Sequence, residues 1–174
     1  MAIMWDEIME QPEVLGRCLQ SNKGTIERIV RAIRQRNINL TFIAARGTSD
    51  HAAVYGKYVM EYCTAIPVAL AASSIFTIYG KSLNFSNTLV IAISQSGEAA
   101  DALEVVKEAN SQGAVTVSIT NSPDSPLAKE SRFHLYCDAG VEKSLAATKT
   151  FMTQIYLLAL LASEWSGNSQ IKRE

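Results

Sequence analysis

Thr88-Leu89-Val90-Ile91-Ala92-Ile93 runs without a break into Ser94-Gln95-Ser96-Gly97-Glu98. The first stretch is β-branched or apolar on both of its alternating faces. That is the pattern of a strand at the centre of a parallel sheet covered by helices on both sides. A short turn of hydroxyls and glycine follows, and then a helical period from Glu98 to Asn110 that stops near Gly113. A strand, a tight loop and a helix in that order make up the leading part of a βαβ unit.

Working outward, the same alternation repeats on both sides. Ala114-Val115-Thr116-Val117-Ser118-Ile119 reads as the next strand, closed by an Asn121-Ser122-Pro123 turn, and Phe133 to Tyr136 as a shorter last strand. A strongly apolar helix is expected over about Ala146 to Trp165. Upstream, Leu40-Thr41-Phe42-Ile43-Ala44-Ala45 is a strand that ends in Arg46-Gly47-Thr48-Ser49-Asp50, and a helical pattern continues to about Tyr62. Pro67 to Ala71 reads as a further strand, followed by a short helix around Ser73 to Tyr79. From Met4 to Arg36 the pattern is helical, with Pro12 near its start and a break expected at Ser21-Asn22-Lys23-Gly24. The second of these leading helices carries Ile26, Ile29, Val30 and Ile33 on one face.

Strands alternating with helices predict an α/β fold, a doubly wound parallel sheet of about five strands joined by right-handed crossovers, with two leading helices. Residues 1–36 are expected to pack on the core, 37–165 to form the binding domain, and 166–174 to be a loose tail. Nothing suggests an internal repeat. A chain of 174 residues suits one domain able to bury a core without metals or disulfides.

Composition excludes several classes. A net charge of −1 gives no basic field for nucleic acid. Hydrophobic residues make up 48% and charged residues 19%, the balance of a soluble globular protein. The longest apolar run, Ile155 to Ala162, is far short of the roughly 20 residues that a membrane span needs. The opening stretch mixes acidic with apolar residues and lacks the basic start of a secretion signal, so a cytoplasmic location is expected. Cys18, Cys63 and Cys137 are odd in number and far apart, which predicts reduced, buried thiols.

In an open parallel sheet the ligand sits beyond the carboxyl ends of the strands, where helix N-termini present unpaired N–H groups. Two loops stand there: Gly47-Thr48-Ser49 after one strand, and Ser94-Gln95-Ser96-Gly97 after another. Each joins a glycine, which lets backbone approach closely, to hydroxyls that donate to an anion. Such residues also cap helices whatever binds nearby, but the matched pair of loops predicts a seat for one phosphate. No Walker A lysine and no GxGxxG is present, so a nucleotide is disfavoured and neither cofactor nor metal is expected. A small phosphorylated metabolite fits. Glu98 is expected in the first helical turn, where a carboxylate suits the dipole, rather than as a base.

These motifs resemble those of the sugar isomerase (SIS) domain family. Within it the chain is similar to the first SIS domain in the isomerase half of glucosamine-6-phosphate synthase, and to the related glutaminase-lacking glucosamine-6-phosphate deaminases and phosphosugar isomerases. The stretches that carry the resemblance are EIMEQP from Glu7, GTSDHAAVYGKY from Gly47, LVIAISQSGE from Leu89 and AGVEKSLAATKTFMTQ from Ala139. The resemblance implies a flavodoxin-like SIS fold. It also implies phosphate binding by Ser49, Ser94, Gln95 and Ser96, and a sugar pocket lined by Leu145 and Ala147. The chain departs from the family's pattern in three places. Ala99 stands where the family has a threonine, which implies a weaker or shifted phosphate contact. Ala147 replaces a frequent serine. Arg46 stands where a cysteine is common, and has two readings, an anion contact or a charge facing solvent.

The resemblance places the catalytic glutamate, the ring-opening histidine and the Schiff-base lysine in a second SIS domain and a C-terminal tail, beyond Glu174. The start lacks Met-Cys-Gly, so no glutaminase domain is expected ahead of it. Within the chain Glu142, just before the last helix, is the weak candidate for a catalytic base. Lys143 stands beside it and is read as facing water. His51 and His134 read as capping or packing residues, and Lys149 as a surface or dimer contact. Two functions remain open. One is the N-terminal half of an aldose-ketose aminosugar-phosphate isomerase or deaminase acting on fructose 6-phosphate and glucosamine 6-phosphate. The other is a stand-alone, non-catalytic module that senses a phosphosugar or dimerises for regulation. A homodimer through Phe151, Ile155, Leu158 and Trp165 of the last helix is expected in either case.

Overall fold

The computed structural model describes residues 2–167, and the rest of the expected tail, 168–174, lies outside the described residues. Elements follow in the order α1 (Ala2–Met9), α2 (Gln11–Arg34), β1 (Leu40–Ala45), α3 (Thr48–Thr64), β2 (Val68–Leu70), α4 (Ser74–Thr77), β3 (Thr88–Ile93), α5 (Ala100–Ser111), β4 (Val115–Thr120), α6 (Pro126–Glu130), β5 (Phe133–Tyr136) and α7 (Lys149–Ser166). All five strands are parallel, in the order β2-β1-β3-β4-β5. The doubly wound α/β expectation holds. The order reverses between β1 and β3, because the chain leaves β1 toward β2 on one side and returns to β3 on the other. Their register runs from Leu40 opposite Thr88 to Ala45 opposite Ile93, so the two carboxyl ends are level at the switch point.

The two-faced burial of β3 is complete, since every residue from Thr88 to Ile93 is buried. Leu89, Ile91 and Ile93 point to a core layer shared with α2, α3 and α7, while Val90 and Ala92 point to a second layer against α5 and Phe85. Each large side chain so buried contributes about 1.5–3 kcal/mol relative to exposure. β4 differs on its second face, where Thr116, Ser118 and Thr120 are buried. Their hydroxyls find partners there: Thr116 Oγ1 donates to Asn110 Oδ1 at 2.8 Å, and Thr120 Oγ1 to the Ser122 carbonyl at 2.8 Å.

Four expectations are corrected. The break at Ser21-Asn22-Lys23-Gly24 does not form; α2 is continuous, and the chain breaks earlier, at Glu10, where Pro12 sits in the first turn. Asn22 is 1% exposed, and its amide does what a neighbouring strand would do for the edge strand β5. It donates to the Tyr136 carbonyl at 2.7 Å and accepts the Tyr136 N–H at 2.8 Å, while also reaching the Cys18 carbonyl. A residue with poor helix propensity is kept in mid-helix because its side chain satisfies backbone that would otherwise be buried and unpaired. Next, α5 begins at Ala100, so Glu98 lies exposed in the turn before it rather than in the first helical turn. Helix α7 begins at Lys149, leaving 145–148 as loop. Finally, α7 is not an open dimer face. It packs between α2 and α3 with Leu158 fully buried and Phe151, Ile155 and Trp165 partly buried against the same core. A helix apolar nearly all round is one enclosed on several sides.

Candidate functional site

At the level ends of β1 and β3 lies a cleft of about 350 Å³. Thr48, Ser49, Ser94, Gln95, Ser96 and Ala99 line one side, and Glu142, Ser144, Leu145 and Ala147 the other. Loops far apart in sequence therefore meet at the switch point, as the strand order requires. Gly47 and Gly97 shape the turns without lining the cleft.

Gly97 is fixed by two constraints. Its φ is +72°, and a Cβ there would lie 2.1 Å from Ser125 Oγ. The turn it allows is closed by Gly97 N–H, which donates to Ser94 Oγ at 3.1 Å, and by Glu98 N–H, which donates to Ser96 Oγ at 3.3 Å. Both serine hydroxyl protons remain available. The N–H groups of Gln95 and Ser96 have no partner among the described residues. Thr48 and Ser49 open α3, whose first N–H groups lack intrahelical acceptors. Gly47, at φ +60° and ψ −132°, makes the turn into that helix. Hydroxyls and unpaired amides at the start of α3 and in the turn ahead of α5 are groups able to receive an anion.

The facing loop is anchored from far away. Glu7 of α1 is 4% exposed and accepts Lys143 N–H at 2.6 Å, Ser144 N–H at 3.2 Å and the Ser144 hydroxyl. Asn121, expected only as a turn residue, joins the two sides. Its N–H donates to the Gln95 carbonyl at 2.9 Å, while its side chain donates to the Gly140 carbonyl and accepts Ala139 N–H. Lys149, expected at the surface, is 4% exposed and pairs with Glu10 at 2.6 Å. The segment that carries Glu7 and Glu10 is thereby tied to residues 143–149.

Hydrogen bonds from Lys143 N–H and then the Ser144 hydroxyl hold the Glu7 carboxyl below its ordinary value of 4.5. A group lowered in the folded state stabilises it above the unfolded pKa, and that contribution is lost as pH falls through the folded value. Glu7→Gln is therefore expected to lower Tm at pH 7, with the gap from the parent closing below about pH 4.5. A gap that stays constant in thermal melts from pH 7 to pH 3 would contradict this role.

Glu142 lines the cleft with both oxygens engaged. Oε1 accepts Thr148 N–H at 2.7 Å and Thr148 Oγ1 at 2.9 Å, and Oε2 accepts the Thr150 hydroxyl. It holds the loop that leads into α7. His51 is exposed and away from the cleft lining. His134 in β5 contacts Thr120 Oγ1 at 2.9 Å, and burial lowers its pKa. Cys63 is half-buried, whereas Cys18 and Cys137 are buried, with thiols that burial pushes up to about 12. Among the described residues no group of three His, Cys, Asp or Glu is placed to hold a metal. Sequence marks Asn121 only as a turn residue and Ser144 only as part of the stretch from Ala139, and neither as a residue of the site.

A family model described as the SIS domain matches residues 34–164. The chain belongs to the SIS domain family. Among its relatives, a glutamine–fructose-6-phosphate aminotransferase of Mycolicibacterium smegmatis is 40% identical over 172 residues, covering 94% of this chain and 27% of that protein. One from Thermus thermophilus is 36% identical over 171 residues, covering 96% and 28%. A solved structure from Silicibacter pomeroyi, assigned as a phosphosugar isomerase, superposes with a TM-score of 0.92 at 33% identity, covering 97% of this chain and 51% of the other. This SIS chain thus spans less than a third of the curated relatives and about half of that structure. No helix among the described residues is long and apolar enough to cross a membrane.

Proposed function

We propose that the chain binds a sugar 6-phosphate, with the phosphate in the Ser94–Gly97 and Gly47–Ser49 loops and the sugar toward Leu145 and Ala147. The observation that supports this is the placement of hydroxyls with protons to donate, and of unpaired amides, from both loops in one cleft at the switch point. The relatives' names point to fructose 6-phosphate and to transfer of an amino group onto it; an amino group at C2 of the isomerised sugar gives glucosamine 6-phosphate, the second ligand of this reading. Isomerising such sugars moves a proton between C1 and C2 and needs a base within hydrogen-bond reach. Glu142 is the one carboxylate lining the cleft, and its oxygens are engaged by Thr148 and Thr150. The chain therefore supplies the substrate-binding half of an isomerase or deaminase site, and a second SIS domain supplies the chemistry.

Its location is cytoplasmic, where sugar phosphates are made and used. It assembles as a homodimer. The apolar side chains that support this are Trp5 and Met9 of α1 with Val141 and Leu145 of the facing loop, all more than half exposed.

The test is a thermal shift series with fructose 6-phosphate, glucosamine 6-phosphate and the same sugars without phosphate. A ligand at about a hundred times its Kd is expected to add ~2.7 kcal/mol. Stabilisation by both phosphorylated and free sugars alike, or by neither, would overturn the reading.

A further inference from the structure

Only two of the side chains that line the cleft carry a charge, Glu142 and Arg46. Every other side chain lining the cleft is neutral, and Ala99 brings no hydroxyl. Arg46 follows the last residue of β1 and precedes the Gly47 turn, so its backbone is set by the strand register while its side chain is 72% exposed. The guanidinium is held by one contact, Nη1 to Asp101 Oδ2 at 2.7 Å. Asp101 stands in the first turn of α5, the helix that the Ser94–Gly97 turn leads into.

Resting on the phosphate reading above, we propose that Arg46 is the cationic contact of this seat, kept at its edge by Asp101 until a phosphate dianion takes the guanidinium over. An arginine has five N–H donors, and the Asp101 contact engages one nitrogen, so the guanidinium has further donors for phosphate oxygens. Arginine and phosphate match in a bidentate, charge-assisted geometry that neutral hydroxyls do not offer. Asp101 is not stranded when the guanidinium turns. Its carboxylate lies in the first helical turn, where the dipole favours negative charge, and its Oδ1 also accepts Ala102 N–H at 3.0 Å. The pair it leaves is mostly exposed on the arginine side, and such pairs are worth little. A dianion competing with one carboxylate for the same cation therefore wins on charge, and on the amides that accompany it. Arg46 thus supplies the positive charge that the rest of the lining lacks, and selects phosphate esters in their dianionic form.

Calorimetric titration with glucosamine 6-phosphate at low and high salt tests this on the parent chain, Arg46→Ala, Asp101→Asn and Ser94→Ala/Ser96→Ala. Loss of a charge-assisted contact predicts about tenfold weaker binding for Arg46→Ala, with a flatter salt dependence. Asp101→Asn, which removes the competitor, is expected to bind at least as tightly as the parent. Parent-like affinity and salt dependence in Arg46→Ala would overturn the proposal, while loss of binding in the serine variant left the phosphate reading intact. Asp101→Asn weakening binding as much as Arg46→Ala would also overturn it, since the pair would then be a structural clip. A parent chain that binds no phosphosugar would sink both. Circular dichroism on each variant checks that the substitutions leave the fold in place.

Discussion

Gly97→Ala is expected to cost about 3 kcal/mol of stability, a drop in Tm of roughly 10 °C for a chain of this size, and to remove phosphosugar binding. Two penalties add. The residue sits at φ +72°, where a Cβ costs about 1 kcal/mol or more. That Cβ would also lie 2.1 Å from Ser125 Oγ and 2.4 Å from Ser125 Cβ. Ser125 has no freedom to retreat, because its Oγ donates to the Ser122 carbonyl at 2.8 Å and accepts Ala128 N–H at the start of α6. Moving the turn instead displaces the Gly97 carbonyl, which accepts Leu127 N–H at 3.2 Å. The double variant Gly97→Ala/Ser125→Gly removes the overlap and leaves the φ penalty, so it is expected to recover part of the loss. An unchanged Tm in the single variant would show that the turn is not held as described.

The second large effect concerns affinity. Ser94→Ala/Ser96→Ala is expected to weaken binding of fructose 6-phosphate by at least about 100-fold, from two hydrogen bonds to a charged group at roughly 1.5–3 kcal/mol each. Stability should change little. Gly97 N–H keeps a second acceptor in the Ser94 carbonyl at 3.2 Å, and Ser96 is exposed. Equal affinity in the double variant, measured by calorimetry, would show that the phosphate sits elsewhere.

β1, β3 and β4, and the two loops that follow the first pair, could be read from sequence because each is decided by neighbours in the chain. Continuous apolar runs mark strands buried on both faces, and glycine with hydroxyls marks a tight turn into a helix. What escaped depends on residues brought together only by folding. Asn22 reads locally as a helix breaker, and becomes the partner of Tyr136, 114 residues away, once β5 is laid beside α2. Glu7 looks like a surface carboxylate until the loop 136 residues later donates its amides to it. Arg46 had two readings because Asp101, 55 residues on, is its neighbour only in the folded sheet. The short helix α6 has too few residues for any period to show. Helix α7 is apolar in sequence, and its run from Ile155 to Ala162 suits a core helix or a dimer helix. A helix apolar on all sides says that it is enclosed, and not whether its own chain or a partner does so.

Glu7 and Asn121 set the facing loop, while the sheet sets the two seat loops. The sheet fixes where two loops end, and long-range side-chain contacts then bring a third loop over them. Leu145 at the cleft is fully exposed on this chain.

The most direct test of the phosphate seat is a titration of the 15N-labelled chain with glucosamine 6-phosphate, followed by amide chemical shifts. The amides of Thr48, Ser49, Gln95, Ser96 and Gly97 are expected to move together and saturate, and to stay still with glucosamine. Shifts that cluster elsewhere, for example around the groove between α2 and α7 at Leu19 and Leu160, or none at all, would contradict it.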